Sequence, residues 1–110
     1  MSSENQSEKV AVYVKLTAPE GKGAELVAAF TSLYEGPLDA EAGTELHVVH
    51  QVKDSPDTVV FYEVYTDATA AAVHSSGEAL KAIFPKLTGL VTGPPEMLTL
   101  EPRNAKGLTL

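Results

Sequence analysis

The stretch Val59-Val60-Phe61-Tyr62-Glu63-Val64-Tyr65 is apolar on both faces of a strand except at Glu63. An antiparallel sheet with one face in water alternates apolar and polar residues. This strand therefore needs cover on both sides. The chain is 110 residues long, which is enough for one small domain. It must build one covering layer itself and find the other elsewhere.

The periodicities around that strand say what the first layer is. Val10 to Leu16 alternates, with Val10, Val12, Val14 and Leu16 on one face and Ala11, Tyr13 and Lys15 on the other. Such alternation predicts a strand. From Ala24 the period becomes helical, with Leu26, Phe30 and Leu33 in one stripe flanked by Val27 and Tyr34. Gly36-Pro37 closes that helix, and Leu38 to Gly43 connects it onward. Thr44 to Lys53 predicts a second strand, Asp54-Ser55-Pro56-Asp57 a turn, and Thr58 to Thr66 a third strand, so the pair forms a hairpin. Asp67 is an N-cap for a short Ala-rich helix, Ala68 to Ser75. Gly77 interrupts it, and Glu78 to Phe84 restarts a helix with Leu80, Ile83 and Phe84 inward, until Pro85 ends it. After Gly93-Pro94-Pro95 comes a last strand, Glu96 to Glu101.

The order strand, helix, strand, strand, helix, strand is the split βαβ, or ferredoxin-like, arrangement of an α+β domain. Two helices cover one face of a four-stranded antiparallel sheet. The domain is expected over residues 9–102, with a tail at 1–8 (MSSENQSE) and an extension at 103–110. On the open face Val60, Tyr62 and Val64 should join Tyr13 and Val49. A second copy packed sheet to sheet is the economical cover, so a homodimer is expected, with more than about 1,000 Å² buried in total.

Composition narrows the function classes. The chain is 44% hydrophobic and 21% charged, unlike a disordered sequence. It contains no run of roughly 20 apolar residues and no recognisable secretory signal, which argues against a membrane partner and for the cytoplasm. With no cysteine there is no disulfide framework, thiolate metal site or thiol nucleophile. A net charge of −7 argues against nucleic acid, whose phosphates select basic surfaces. A small metabolite is the expected partner.

The residues able to carry chemistry are few. His47 and His50 resemble a metal pair, but side chains three apart on a strand point to opposite faces, so no metal site is expected unless a bulge intervenes. His50 shares its face with Leu46, Val48 and Val52 and should lie opposite Glu63 or Phe61, depending on register. An imidazole beside a carboxylate can donate and accept protons, or can simply be a satisfied polar pair at the rim of the core. His74, near a helix end, fits either a pocket or the helix dipole. Tyr65 combines an apolar ring with a polar tip. Gly21-Lys22-Gly23 lacks the spacing of a phosphate loop.

The segment FYEVYTDATAAAVHSSGEALKAIF, Phe61 to Phe84, together with GTELHVVHQVKDSP, Gly43 to Pro56, resembles the antibiotic biosynthesis monooxygenase family. The likeness runs from about Lys9 to Glu101. It implies a dimeric α+β barrel with a pocket between each sheet and its own helices. Members include cofactor-free oxygenases acting on phenolic polyketides or quinols, and related barrels degrade haem, isomerise lactones or have no assigned activity. Val14, Tyr65 and Phe84 stand where the haem-degrading relatives carry Asn, Trp and His, so haem chemistry is not expected. Ala79 stands where a second histidine often lies.

The expectation is a cofactor-independent monooxygenase for a phenolic or quinol-type apolar metabolite. His74 or His50 would take a phenolic proton, Tyr65 would donate to the oxygen, and Glu63 would orient the imidazole. Phe61, Val14, Leu80 and Phe84 would line the substrate pocket, with no cofactor and no metal. The alternatives are a non-catalytic binding module and a non-oxidative isomerase.

Overall fold

The computed structural model of the chain describes residues 8–110. The expected N-terminal tail therefore lies, but for Glu8, outside the described residues. The elements are β1 (Val10–Thr17), α1 (Gly23–Thr31), β2 (Thr44–Val52), β3 (Ser55–Tyr65), α2 (Ala68–Ser75), α3 (Glu78–Ile83) and β4 (Glu96–Leu100). A 3₁₀ turn at Phe84–Leu87 follows α3. The four strands form one sheet in the order β2-β3-β1-β4, with every neighbouring pair antiparallel. This is the α+β, ferredoxin-like arrangement expected from the order of periodicities.

The helices and the sheet close on one core. Leu26 and Phe30 of α1, Val59 and Phe61 of β3, and Ala79 and Ile83 of α3 are buried together. Phe30 meets Phe61 edge to face with ring centroids 4.6 Å apart, a geometry worth about 1 kcal/mol beyond area burial. Asp67 caps α2 by accepting from the Ala70 amide at 2.8 Å. The Gly21 and Gly23 amides, at 2.9 and 2.8 Å, both donate to the Asp57 carboxylate. The glycine segment before α1 is thus tied to the hairpin by its own chain. Among the described residues, no helix is long and apolar enough to cross a membrane.

Two expectations need correction. The first concerns β2. A four-residue turn at Asp54–Asp57 would place Lys53 opposite Thr58 and so His50 opposite Phe61. The hairpin instead turns at Lys53-Asp54, with Val52 paired to Ser55 and a register shift between Gln51 and Val52. The resulting register differs from the expected one by one residue and sets His50 opposite Val60 and His47 opposite Glu63. It exchanges the side chains from Leu46 to Gln51 between faces, while a second register shift between Thr44 and Leu46 keeps Thr44 opposite Tyr65. Leu46, Val48, His50 and Val52 therefore lie on the outer face, while His47 and Val49 turn toward the helices. The second concerns Phe84, expected inward but 63% exposed. It starts the 3₁₀ turn, where the α-helical phase that placed Ile83 in the core is lost.

α1 also ends earlier than the stripe suggested, at Thr31. Leu33 and Leu38 still reach the core, carried by successive turns that run to Ala40.

Candidate active site

Between the helices and the inner face of the sheet lies a cavity of about 430 Å³, within the range of small-molecule sites. Most of its wall is apolar. Val14, Phe61, Leu80 and Phe84, the expected wall residues, all line it, with Phe84 and Met97 exposed at the rim. One polar cluster, His47, Glu63, Tyr65 and His74, faces into it. No lysine or arginine lines the cavity among the described residues.

The register explains the cluster. Thr99, Val12, Glu63 and His47 form one row across the inner face. Tyr65 lies two residues along β3 on the same face. α2 then lays His74 over the row, with its ring 5.6 Å from His47 and 5.2 Å from Tyr65.

Each titratable side chain has a partner that fixes it. Tyr65 donates its hydroxyl to Glu63 Oε1 at 2.5 Å. His47 Nε2 lies 3.4 Å from Glu63 Oε2, and His47 Nδ1 is 2.8 Å from the Tyr34 hydroxyl. His74 Nδ1 is 2.7 Å from Glu41 Oε1, which also accepts from the Thr44 hydroxyl at 2.9 Å. The other oxygen of Glu41, Oε2, is buried without a hydrogen-bond partner.

The electrostatics follow from this web. Burial acts to raise the Glu63 pKa, but hydrogen bonds from His47 and Tyr65 and the charge of His47 and His74 outweigh it, leaving the carboxyl below its ordinary value. Glu63 is therefore a carboxylate. Burial, with the Glu63 charge second, pushes the Tyr34 phenol up to about 12. Burial and then the hydrogen bond to Glu63 hold the Tyr65 phenol well above its usual range. Both tyrosines are donors rather than bases near neutrality.

Two donors on the Glu63 carboxylate assign the tautomers. His47 presents Nε2–H to Glu63 and accepts from Tyr34 at Nδ1. His74 donates Nδ1–H to Glu41, which leaves the Nε2 lone pair as a base. A carboxylate behind an imidazole both selects the tautomer and stabilises the imidazolium that forms.

Of the expected catalytic residues, the structure brings Glu63, Tyr65 and His74 together and leaves His50 out. His50 is exposed on the outer face, its Nδ1 2.9 Å from the Val60 carbonyl, because of the register slip described above. The Tyr65 hydroxyl is committed to Glu63, and the imidazole that Glu63 orients is that of His47. His47, Glu41 and Tyr34 join the site unforeseen. Alternation would have found His47 had the turn length been known. Tyr34 flanks the helical stripe in the sequence but lies beyond the end of α1 at Thr31, and Glu41 lies in the connection to β2, where no periodicity marks a face.

No curated protein matches the sequence. Solved structures share the fold over most of its length. A Nitrosomonas europaea protein of unknown function, NE2512, is 25% identical, with a TM-score of 0.79 over 92% of this chain and 95% of its own. SO0527 from Shewanella oneidensis is 25% identical, with a TM-score of 0.77 over 87% and 92%. SnoaB, a cofactor-independent oxygenase from Streptomyces nogalater, has a TM-score of 0.76 over 93% and 100% at 19% identity, a likeness of fold alone. The family model for antibiotic biosynthesis monooxygenases matches residues 9–86. The chain belongs to the antibiotic biosynthesis monooxygenase family.

Proposed function

We propose that the chain is a cofactor-independent monooxygenase that oxidises a small, planar phenolic or quinol-type metabolite with dioxygen. The observation that carries this reading is the His74–Glu41 pair, which offers a backed imidazole base to a largely apolar cavity. Family membership supports it.

Dioxygen reacts slowly with closed-shell molecules, but an electron-rich anion can reduce it. His74 Nε2 takes the acidic proton of the substrate, and Glu41 stabilises the imidazolium. The anion passes one electron to dioxygen, and the resulting pair recombines into a carbon-bound peroxide. The peroxide takes up a proton and loses water as a carbonyl forms. One oxygen atom stays in the product and the other leaves as water, with every electron supplied by the substrate. The low-dielectric wall strengthens each electrostatic contact along this path.

The test is oxygen uptake by metal-free protein with a panel of quinols and anthrones, against a boiled-protein control. Saturable uptake that falls roughly 10²–10⁴-fold in His74→Ala is the expected outcome. Uptake unchanged in that variant would remove His74 from the mechanism. A second reading rests on the two histidine–glutamate pairs facing one cavity, which could move a proton between two atoms of a substrate without oxygen. Turnover under nitrogen would select it. Tight binding without turnover would leave a binding module.

The same proposal includes a homodimer. Its support is the outer face, where Leu46, Val48, Leu98 and Leu100 lie exposed beside Tyr13 and Tyr62 of the central strands.

A further inference from the structure

We propose that His47, Glu63 and His74 form a binding site for one divalent transition-metal ion, such as zinc or cobalt. One ring nitrogen from each histidine and one carboxylate oxygen lie within 4.8 Å of one another. The ligands come from β2, β3 and α2, so a single ion would bridge the sheet and the helix above it. His47 Nε2 and Glu63 Oε2 are 3.4 Å apart. That matches the roughly 3.4 Å between two tetrahedral ligands of an ion with bonds near 2.1 Å. Closing the site on His74 requires a movement on the order of 1 Å.

The supporting shell already has the form such a site needs. Ligating imidazoles use one nitrogen for the ion and the other for a partner that fixes the ring. Nδ1 of His47 lies against the Tyr34 hydroxyl and Nδ1 of His74 against Glu41; on binding an ion His47 changes tautomer, donating Nδ1–H to the Tyr34 oxygen, so that Nε2 of each ring can ligate. Glu63 Oε1 is held by Tyr65, leaving Oε2.

Charge points the same way. The Glu63 and Glu41 side chains are 9% and 10% exposed, and among the described residues no lysine or arginine lines the cavity. Buried carboxylates require a compensating cation. A divalent ion balances both while the imidazoles stay neutral. It also places a positive charge near Glu41, whose Oε2 is buried without a donor. Two imidazoles and one carboxylate favour zinc, cobalt or iron(II) over the all-oxygen sites of calcium and magnesium. The fourth position faces the apolar cavity.

An ion on His74 Nε2 would take the lone pair that the oxygenase reading uses as its base, so ion and deprotonating substrate exclude one another. The binding itself does not rest on that reading and is measured without substrate. Metal-free full-length protein is titrated with Zn²⁺ by calorimetry and with Co²⁺ by visible absorption. One ion per chain at micromolar affinity or tighter is expected, with cobalt bands of four- or five-coordinate nitrogen–oxygen ligation. Glu41→Gln should weaken binding roughly 10–100-fold. His47→Ala and His74→Ala should each weaken it further, and His50→Ala, on the outer face, should leave it unchanged. Failure of the native protein to bind either ion at micromolar concentration overturns the proposal. So does binding that survives both ligand variants, which would place the ion on the acidic surface. Circular dichroism of each variant keeps unfolding from being read as lost binding.

Discussion

Tyr34 illustrates how one hydroxyl sets the protonation of a site. Its phenol is pushed up to about 12 by burial and by the Glu63 charge, so it stays a neutral hydroxyl against His47 near neutrality. The folded value lies above the ordinary 10.0. The stability it contributes is therefore fully present below pH 10 and is lost as pH rises through about 12. Ultraviolet titration should show Tyr34 ionising near pH 12, before Tyr65, which burial and Glu63 hold higher still, and Tyr34→Phe should remove that step alone. If that step persists in the variant, the assignment is wrong. Glu63 behaves with the opposite sign. Its folded value is depressed, so its contribution is present above pH 4.5 and is lost as pH falls through the folded value. Denaturant midpoints in acid should show a loss that is smaller in Glu63→Gln. The sequence made Glu63 legible, because one acid interrupts an apolar strand. It did not expose Tyr34 or Glu41, whose roles come from turns that bring them back over the sheet.

At the scale of elements, the position of His74 depends on how closely the Glu41 turn packs against α2. A Cβ on Gly43 would lie 2.4 Å from the Ala70 Cβ, and one on Gly77 would lie 2.8 Å from the Val73 carbonyl and 3.2 Å from Glu41 Oε2. Both glycines are required by close approach rather than by backbone angle. Gly43→Ala should push α2 outward and cost about 1–3 kcal/mol. It should also lower turnover by lengthening the His74–Glu41 contact, although neither residue is altered. A denaturation curve and a turnover assay on the same preparation check this. A stable variant with native turnover would show that α2 is not held by this contact. Element order was readable because period changes are local. The face of β2 was not, because both faces of the sheet are apolar. Alternation groups residues by face but names neither face, and a single shift near Val52 decided which histidine entered the cavity.

At the scale of the whole molecule, the outer face must account for the apolar character of β3. Val48, Tyr62, Tyr13 and Leu98 form one row across it, and Leu46, Val64, Ala11 and Leu100 the next. Lys15 and Glu96 end the apolar area, paired at 3.5 Å, with His50 in the same row. The helices occupy the other face; within the rows Val64 and Ala11 are already buried, while Leu46, Val48, Leu98 and Leu100 lie exposed. The proposed sheet-to-sheet packing of two copies would bury the exposed residues and leave the cavity, whose lining comes from the inner face of the sheet and the helices, within each subunit. Light scattering at micromolar concentration should give twice the 11.6 kDa chain mass. Val48→Lys with Leu98→Glu puts charges in the middle of the apolar row. The double variant should be monomeric and less stable, with its aromatic fluorescence shifted by solvent at Tyr13 and Tyr62. If it remains dimeric, the copies meet through another surface. If the native chain is monomeric, the rows are covered by something other than a second copy. A monomeric variant that still consumes oxygen would separate assembly from chemistry, as a cavity built wholly from one chain predicts.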